Sequence, residues 1–301
     1  MEWTNYVTVV VVLVIFIGVG TNSFVIYKLL GRKRAIGDIF ALNMAFVDVT
    51  YLALRLPNAI NNFVDYSVPA FSALFNIYFC NLCYLASIQY FYLYMLTRFL
   101  VIVWPIEMSM YFKRWHTYVL VVLNLALCGI YMSGYLYSYA WMITSAEMVD
   151  YNTWFQNYTT VLRDQQPPFF VRFQKCYGNF IVLMFVLTVL LVVFVSFRLA
   201  RKDSSDNLDV TKRKKQAIAT ICLCFFVFSV FQFSTVIVTL IYEQTGFVLN
   251  YITFAIYFII LKLQVIGFAI NPLLYYKTKK ATRSTSTKRT DHTNEQTNCG
   301  G

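Results

Sequence analysis

The sequence predicts an all-α membrane protein, a bundle of seven transmembrane helices. Of 301 residues, 59% are hydrophobic and only 13% are charged, whereas about a quarter of the residues are charged in soluble domains. Seven apolar runs bounded by charge reach the roughly 20 residues needed to cross a bilayer. Basic residues also cluster on alternate sides of these runs. These observations exclude a soluble enzyme and a disordered chain.

The runs lack the alternation of a β-strand, and because lipid leaves no backbone group unsatisfied they are predicted to be helices. We expect the first run to be a retained anchor and not a cleavable signal peptide, since no basic residue precedes it and it continues directly into Gly31-Arg32-Lys33-Arg34. The predicted spans cover about 6–30, 38–62, 70–103, 117–141, 174–199, 215–242 and 248–276 of a transmembrane domain at 1–276. A short tail at 277–301 is rich in Ser, Thr and Lys.

The net charge of +11 is distributed unevenly across the predicted membrane. The loops after spans 1, 3 and 5 and the tail, with the adjoining helix ends, hold 20 of the 25 basic residues and seven acids, a net of +13. The opposite side holds three basic residues and six acids, a net of −3. Basic loops remain in the cytoplasm, so the N-terminus is predicted outside and the C-terminus inside. The charge is thus assigned to membrane topology and not to nucleic acid. The long outer loop at 142–173 carries a glycosylation sequon at Asn157.

Several polar motifs stand at defined places in these spans. They are Asn22 in span 1, Leu42-Asn43-Met44-Ala45-Phe46-Val47-Asp48 in span 2, Thr97-Arg98-Phe99 at the end of span 3, Pro105 in the following loop, and Asn271-Pro272-Leu273-Leu274-Tyr275 in span 7. In this order, over nearly the whole chain, they resemble the rhodopsin-like (class A) G-protein-coupled receptors. The chain looks most like the peptide, chemokine, nucleotide and lipid branch of that family.

The resemblance implies a plasma-membrane receptor that couples an extracellular ligand to heterotrimeric G proteins, with a Ser/Thr tail available to arrestin. The residues it implies for G-protein coupling and the switch are Thr97, Arg98, Phe99, Asn271, Pro272 and Tyr275. Arg98 would line the cytoplasmic cleft when span 6 swings outward. An isolated arginine that extends to the membrane interface would fit the same position. The functional interpretation of Arg98 therefore depends on the neighbouring motifs.

Asp48 lies in mid-span, where a carboxylate costs several kcal/mol unless it faces partners or water. The resemblance implies that Asp48, Ser87 and Asn271 hold a sodium ion, with Asn22 in the same polar network. Oxygen ligands suit such a hard cation. The alternative is a buried polar network that only fixes helix packing. No other metal and no cofactor is expected.

Two departures from the family pattern fall in the switch. Thr97 replaces the acid before Arg98, and Thr211 offers no acid on span 6. Losing such charge partners can shift a two-state equilibrium by one or two powers of ten, so we expect raised basal activity. In span 6, Ser229 and Phe231 stand where the family has tryptophan and proline, so the usual cause of a kink is missing.

The resemblance also implies an outer disulfide, and here the pattern fits poorly. Cys176 could be the loop member, but Ala73 occupies the expected partner position on span 3. Cys80 is seven residues deeper, about 10 Å at helical rise. A Cys80–Cys176 bridge would therefore require the loop to enter the bundle.

Two basic residues, Arg55 and Lys262, lie inside the outer halves of spans 2 and 7. Charges at this depth face the bundle interior or a wet cavity, so we hypothesise an anionic ligand bound between them. Alternatively, Arg55 reaches the interface and Lys262 pairs with Glu243. The other predicted pocket residues are Cys80, Tyr84, Phe228, Phe231 and Tyr257. By the same resemblance, Cys80 at the amine-binding position disfavours an amine ligand, and Val265 at the chromophore position disfavours retinal.

Two alternatives to this receptor function remain open. A chemosensory receptor of the same fold would carry the same motifs. A transporter or channel would predict internal repeats, broken helices or a chain of acids and bases through the bundle. An enzyme is not expected, because neither His116 nor His292 is placed near a nucleophile or a carboxylate pair in the membrane.

Overall fold

The computed structural model describes residues 2–31, 36–60, 67–143, 148–150, 168–201, 219, 222–223, 225–233 and 263–271. These residues are almost entirely helical. The helices are α1 (Glu2–Leu30), α2 (Ile36–Ile60), α3 (Ala70–Val103), α4 (Pro105–Tyr111), α5 (Arg114–Ile143) and α6 (Pro168–Arg201). A π-helical turn covers Ser229–Phe233, and 263–271 is also helical. Two three-residue strands, β1 (Ser67–Pro69) and β2 (Met148–Asp150), pair antiparallel with Val68 opposite Val149.

Four helices in the described part of the chain are long and apolar enough to cross a membrane. They contain Tyr6–Leu30, Ile36–Pro57, Phe71–Thr97 and Arg114–Gly134, and they correspond to predicted spans 1 to 4. The third prediction, 70–103, matches the bounds of α3. The predicted fifth span falls within α6, whose apolar stretch Gly178–Phe194 is shorter. The predicted spans at 215–242 and 248–276 are described only in part. The membrane-embedded helical character of the chain therefore agrees with the sequence.

Polar caps define the boundaries around α4. Pro105 occupies the first turn of α4, where its missing N–H costs nothing. Lys113 and His116 then cap α5 reciprocally, because the Lys113 amide donates to His116 Nδ1 (3.0 Å) and the His116 amide donates to the Lys113 carbonyl (3.1 Å). The arrangement is similar to a capping box, with histidine as the side-chain acceptor. The sequence did not predict α4.

α3 is the central helix, packing against α2, α5 and α6. Its middle third, from Leu85 to Met95, supplies side chains that are buried except for the partly buried Leu93. Helices α1 and α5 instead turn large apolar side chains outward, such as Phe16 and Val122, which are 61% and 66% exposed. Broad apolar exposure of this kind fits a surface that faces lipid tails.

Gly18 sets the distance between α1 and its neighbours. A Cβ atom at this position would lie 2.7 Å from Leu52 Cδ1 and 2.9 Å from Ala269 Cβ. Only a residue without a side chain lets α1 approach both α2 and the 263–271 helix this closely. Gly20, two residues later, has nothing within 4 Å of the same position.

We predict that Gly18→Ala destabilises the protein and that Gly20→Ala does not. The added methyl at position 18 must displace Leu52 or Ala269, and overpacking of this kind costs about 1–3 kcal/mol. At position 20 the better helix propensity of alanine contributes up to about 1 kcal/mol. Thermal unfolding of the two purified variants in one detergent measures both effects. Equal melting temperatures would contradict the close approach.

Candidate functional site

A buried polar contact joins α2 to α3. Ser87 Oγ donates a 2.6 Å hydrogen bond to Asp48 Oδ1, and both residues are essentially unexposed. Among the described residues, Asp48 Oδ2 has no hydrogen-bond partner. A carboxylate in a membrane helix faces the interior and marks a functional site by default. The unpartnered oxygen can accept from water, bind a cation or carry a proton.

Asn22 ties α1 to the 263–271 helix. Its Nδ2 donates to the carbonyl oxygens of Gly18 (2.8 Å) and Phe268 (3.1 Å). Its Oδ1 is buried without a partner in the described structure, and the same holds for Asn271 Nδ2. The sequence placed Asn22, Asp48, Ser87 and Asn271 in one network. The structure buries all four and bonds three of them in two groups, Asp48 with Ser87 and Asn22 with the 263–271 backbone, while Asn271 belongs to neither group.

Thr21 and Gly18 belong to the same contact, and the sequence argument missed both. Thr21 Oγ1 lies 3.0 Å from the Gly18 carbonyl and 3.0 Å from the Ala269 carbonyl. Two adjacent polar residues thus bridge to consecutive carbonyls of the 263–271 helix. The available signal was a Gly-x-x-Thr-Asn sequence within an otherwise apolar run. We call Gly18, Thr21, Asn22 and the carbonyls of Phe268 and Ala269 the polar seam.

Arg55 lies about two helical turns from Asp48 along α2, on the side predicted to be outer. Its Nε donates to the Tyr51 hydroxyl (3.1 Å), and its guanidinium carbon lies 5.2 Å from the Tyr51 ring centroid. The Tyr51 ring stacks on Phe268 at 4.0 Å and lies 6.5 Å from Tyr84. Cys80 is buried in the same cluster and within electrostatic reach of Arg55. Tyr51, which was not predicted as a pocket residue, therefore lies among three residues that were: Arg55, Cys80 and Tyr84.

Pro57 and Asn76 shape the adjoining turn of α2. Proline inside a helix removes a backbone donor and disturbs the carbonyls of the preceding turn. Asn76 on α3 donates from Nδ2 to the Leu54 carbonyl at 3.0 Å, which holds this turn against α3. Asn76 Oδ1 is buried, and it has no partner in the described part of the chain.

The predicted Cys80–Cys176 disulfide is not formed. Both residues are free thiols, with Cys80 buried between α2 and α3 and Cys176 exposed on α6. The physical reason is placement, since Cys80 is 3% exposed between α2 and α3, whereas Cys176 is an exposed residue of the helix α6 and not of a loop that enters the bundle. Cys83 and Cys128 are also buried and form no disulfide in the described part of the chain.

The sequence predicted that Phe228 lines the same pocket as Arg55, but the structure places Phe228 in another cluster. Its ring is 1% exposed and stacks on Phe91 of α3 with centroids 3.7 Å apart and planes at 3°. Tyr92 meets the same ring edge-on at 5.9 Å. The structure therefore assigns Phe228 to the packing between 225–233 and α3. Phe231 is half-buried within the π turn.

The cytoplasmic switch is described only in part. Thr97 is buried and its Oγ1 donates to the Leu93 carbonyl of its own helix at 2.6 Å, so its hydroxyl is committed within α3. Arg98 and Phe99 stand in the last two turns of α3. The remaining predicted site residues, Asn157, Tyr257, Lys262, Pro272 and Tyr275, lie outside the described residues.

Comparison of the sequence with protein-family models finds no match, and comparison with curated proteins finds none. The functional interpretation therefore depends on the contacts above and on the sequence motifs.

We predict that Thr21→Val weakens the polar seam whereas Thr50→Val has little effect. Valine keeps the branched shape but removes the hydroxyl. Thr21 bonds across helices, while Thr50 bonds only to the Phe46 carbonyl of its own helix at 2.9 Å. An interhelical bond of this kind contributes about 0.6–2 kcal/mol in a membrane. Melting temperatures of the two purified variants provide the comparison, and a larger loss for Thr50→Val would contradict the bridging role.

Proposed function

We propose that this chain is a seven-span cell-surface receptor, with its N-terminus outside, that couples an extracellular ligand to heterotrimeric G proteins. The observation that carries the proposal is the buried Asp48–Ser87 hydrogen bond, 2.6 Å long, in the middle of apolar helices. Its residues are those that the motif resemblance to rhodopsin-like receptors assigns to a functional network. A lipid-embedded bundle that needed only packing would be more stable with apolar side chains at these positions.

Asp48 and Ser87 suit a sodium ion. Asp48 Oδ2 and Asn22 Oδ1 are buried oxygens without partners in the described structure, and oxygen is the ligand type that hard cations prefer. The ion would neutralise the Asp48 carboxylate when bound. Ser87 meanwhile fixes the orientation of Asp48 through its hydrogen bond to Oδ1, so that Oδ2 remains the acceptor.

The ligand site is proposed at the predicted outer end of α2. It would prefer an anionic ligand. A guanidinium has five N–H donors in a planar fork suited to carboxylate or phosphate oxygens. The bond from Arg55 Nε to Tyr51 and the ring beneath it orient this fork. Tyr51 in turn stacks on Phe268, whose carbonyl accepts from Asn22. A ligand that pulls on Arg55 would therefore act on the polar seam through two contacts.

The topology, the plasma-membrane location and the coupling follow from the same resemblance. The cytoplasmic net charge of +13 supports the orientation, and Asn157 would be glycosylated on the outer loop. Arg98 would receive the G protein at the inner end of α3, with the Ser/Thr-rich tail available to arrestin. Thr97 offers Arg98 no carboxylate, and its hydroxyl bonds to Leu93. Position 97 thus supplies no carboxylate that would favour the resting state, and this supports raised basal activity.

Expression of the receptor with a panel of chimeric G proteins tests the coupling. We expect ligand-free signalling above the vector control at verified surface expression, and its loss in Arg98→Ala. Arg172→Ala is the matched control, since it removes the same charge from an exposed position on α6, on the predicted outer side. Signalling that stays at vector level for the wild type, with every chimera and every tissue extract, would favour a transporter or another non-signalling role.

Sodium should stabilise the wild-type protein through Asp48. At tenfold excess over its dissociation constant, a bound ion contributes about 1.4 kcal/mol to stability. We expect a higher melting temperature in NaCl than in N-methylglucamine chloride of equal ionic strength, and no such difference in Asp48→Asn. Asp38→Asn, which neutralises a buried carboxylate in the first turn of α2, should retain the sodium effect. A sodium effect of equal size in Asp48→Asn would contradict the assignment.

A further inference from the structure

The short helix α4 and the start of α5 present an exposed aromatic and apolar surface. One apolar stretch long enough to cross a membrane ends at Thr97 in α3, and the next begins at Arg114 in α5, so α4 connects two candidate spans at one surface of the bilayer. The side chains of this connection that are between 48% and 73% exposed are Trp104, Ile106, Met110, Tyr111 and Trp115. We call them, together with Lys113 and Arg114, the α4–α5 corner.

The composition of the corner is typical of a helix that lies in the membrane interface. Ile106 and Met110 are one turn apart and share a face of α4. Trp104 precedes α4 and Trp115 follows it. Tryptophan is enriched where lipid tails meet headgroups, because its ring is apolar and its N–H is polar. We therefore expect the apolar face of α4 to contact acyl chains.

Ring stacking and a backbone cap position two adjacent cations at the end of this helix. The His116 ring stacks on Trp115 with centroids 3.8 Å apart and on Phe112 at 5.5 Å. His116 Nδ1 also accepts the Lys113 amide at 3.0 Å. These contacts order the backbone between α4 and α5, while the side chains of Lys113 and Arg114 remain exposed. The two cations are thus presented beside the exposed Trp115.

We propose that the α4–α5 corner binds the headgroup phosphate of an anionic phospholipid between Lys113 and Arg114, with the apolar face of α4 against the acyl chains. The corner lies on the predicted cytoplasmic side, where the leaflet carries anionic lipids. Its charge is complementary to them, since residues 104–118 contain these two cations and one acid, Glu107, in the first turn of α4. Near an anionic leaflet each basic residue strengthens binding roughly fivefold. The site does not depend on coupling to G proteins.

Quenching of a fluorophore by spin-labelled lipids tests this site in the full-length protein. A bimane group is attached through Tyr111→Cys, with the other reactive cysteines changed to serine, and the protein is placed in phosphatidylcholine nanodiscs without a G protein. Spin-labelled phosphatidylserine or spin-labelled phosphatidylcholine is added in equal amounts. The ratio of the two quenching constants measures the local preference for the anionic lipid. We expect a ratio of roughly 5 to 30.

Neutralisation of the two cations should remove this preference. We expect Lys113→Gln combined with Arg114→Gln to bring the ratio close to unity, because the headgroup then meets no positive charge. Arg172→Gln combined with Lys175→Gln is the matched control. It removes two exposed cations from α6, on the predicted outer side, and should leave the ratio unchanged. Equal ratios in the two double variants, or a wild-type ratio of unity, would overturn the proposal.

Two further arms separate the lipid from other partners of the corner. Ile106→Ser combined with Met110→Ser should weaken quenching by both lipids, because the acyl chains lose their contact. Soluble glycerophosphoserine, which has the headgroup without acyl chains, should leave the ratio unchanged; loss of the preference in its presence would assign the site to a soluble phosphate and overturn the proposal. Retained lipid preference without any G-protein response would refute the proposed function and leave this site standing.

Discussion

A polar group inside a bilayer must find its hydrogen-bond partner within the protein, and the described part of this bundle is organised by that requirement. The polar seam meets it by aiming two adjacent side chains, Thr21 and Asn22, at consecutive carbonyls of the 263–271 helix. Backbone carbonyls of a helix can accept such bonds only from a closely packed neighbour. The absence of a side chain at Gly18 provides that approach, with 2.7 Å between its missing Cβ and Leu52.

The same constraint explains the order of side chains along one face of α2. The residues that follow one another at helical spacing are Asp48, Tyr51 and Arg55. Asp48 is bonded to Ser87, the Tyr51 ring stacks on Phe268, and Arg55 is bonded to Tyr51. Each polar group is thus separated from the next by an aromatic ring that excludes lipid. Phe268 takes part twice, through its ring with Tyr51 and through its carbonyl with Asn22. A continuous set of contacts therefore connects Arg55 to α1 and to the 263–271 helix.

Much of this fold could be predicted from the sequence, because long apolar runs bounded by charge have one stable form in lipid. The bounds of α3 and the burial of Asp48, Ser87 and Asn271 follow from such patterns. The roles of Tyr51, Phe91 and Thr21 did not follow. In a chain with 28 Phe and 23 Tyr, composition does not indicate which rings meet, and this depends on helix rotation and on crossing distances such as the one Gly18 permits. The spacing along α3 did indicate that Cys80 is too deep for the outer disulfide, and Cys80 and Cys176 are both free thiols.

Two kinds of helix contact therefore coexist, and they differ in what fixes their geometry. The polar seam consists of hydrogen bonds about 3 Å long to backbone carbonyls, and such bonds weaken steeply when distance or angle changes. Phe228 and Phe225 contact α3 and α6 ring to ring, and aromatic pairs gain free energy from buried area and ring geometry without a hydrogen bond. The polar residues thus set the direction in which α1 meets the 263–271 helix, and the aromatic residues attach the 225–233 segment to α3 and α6 through the area they bury.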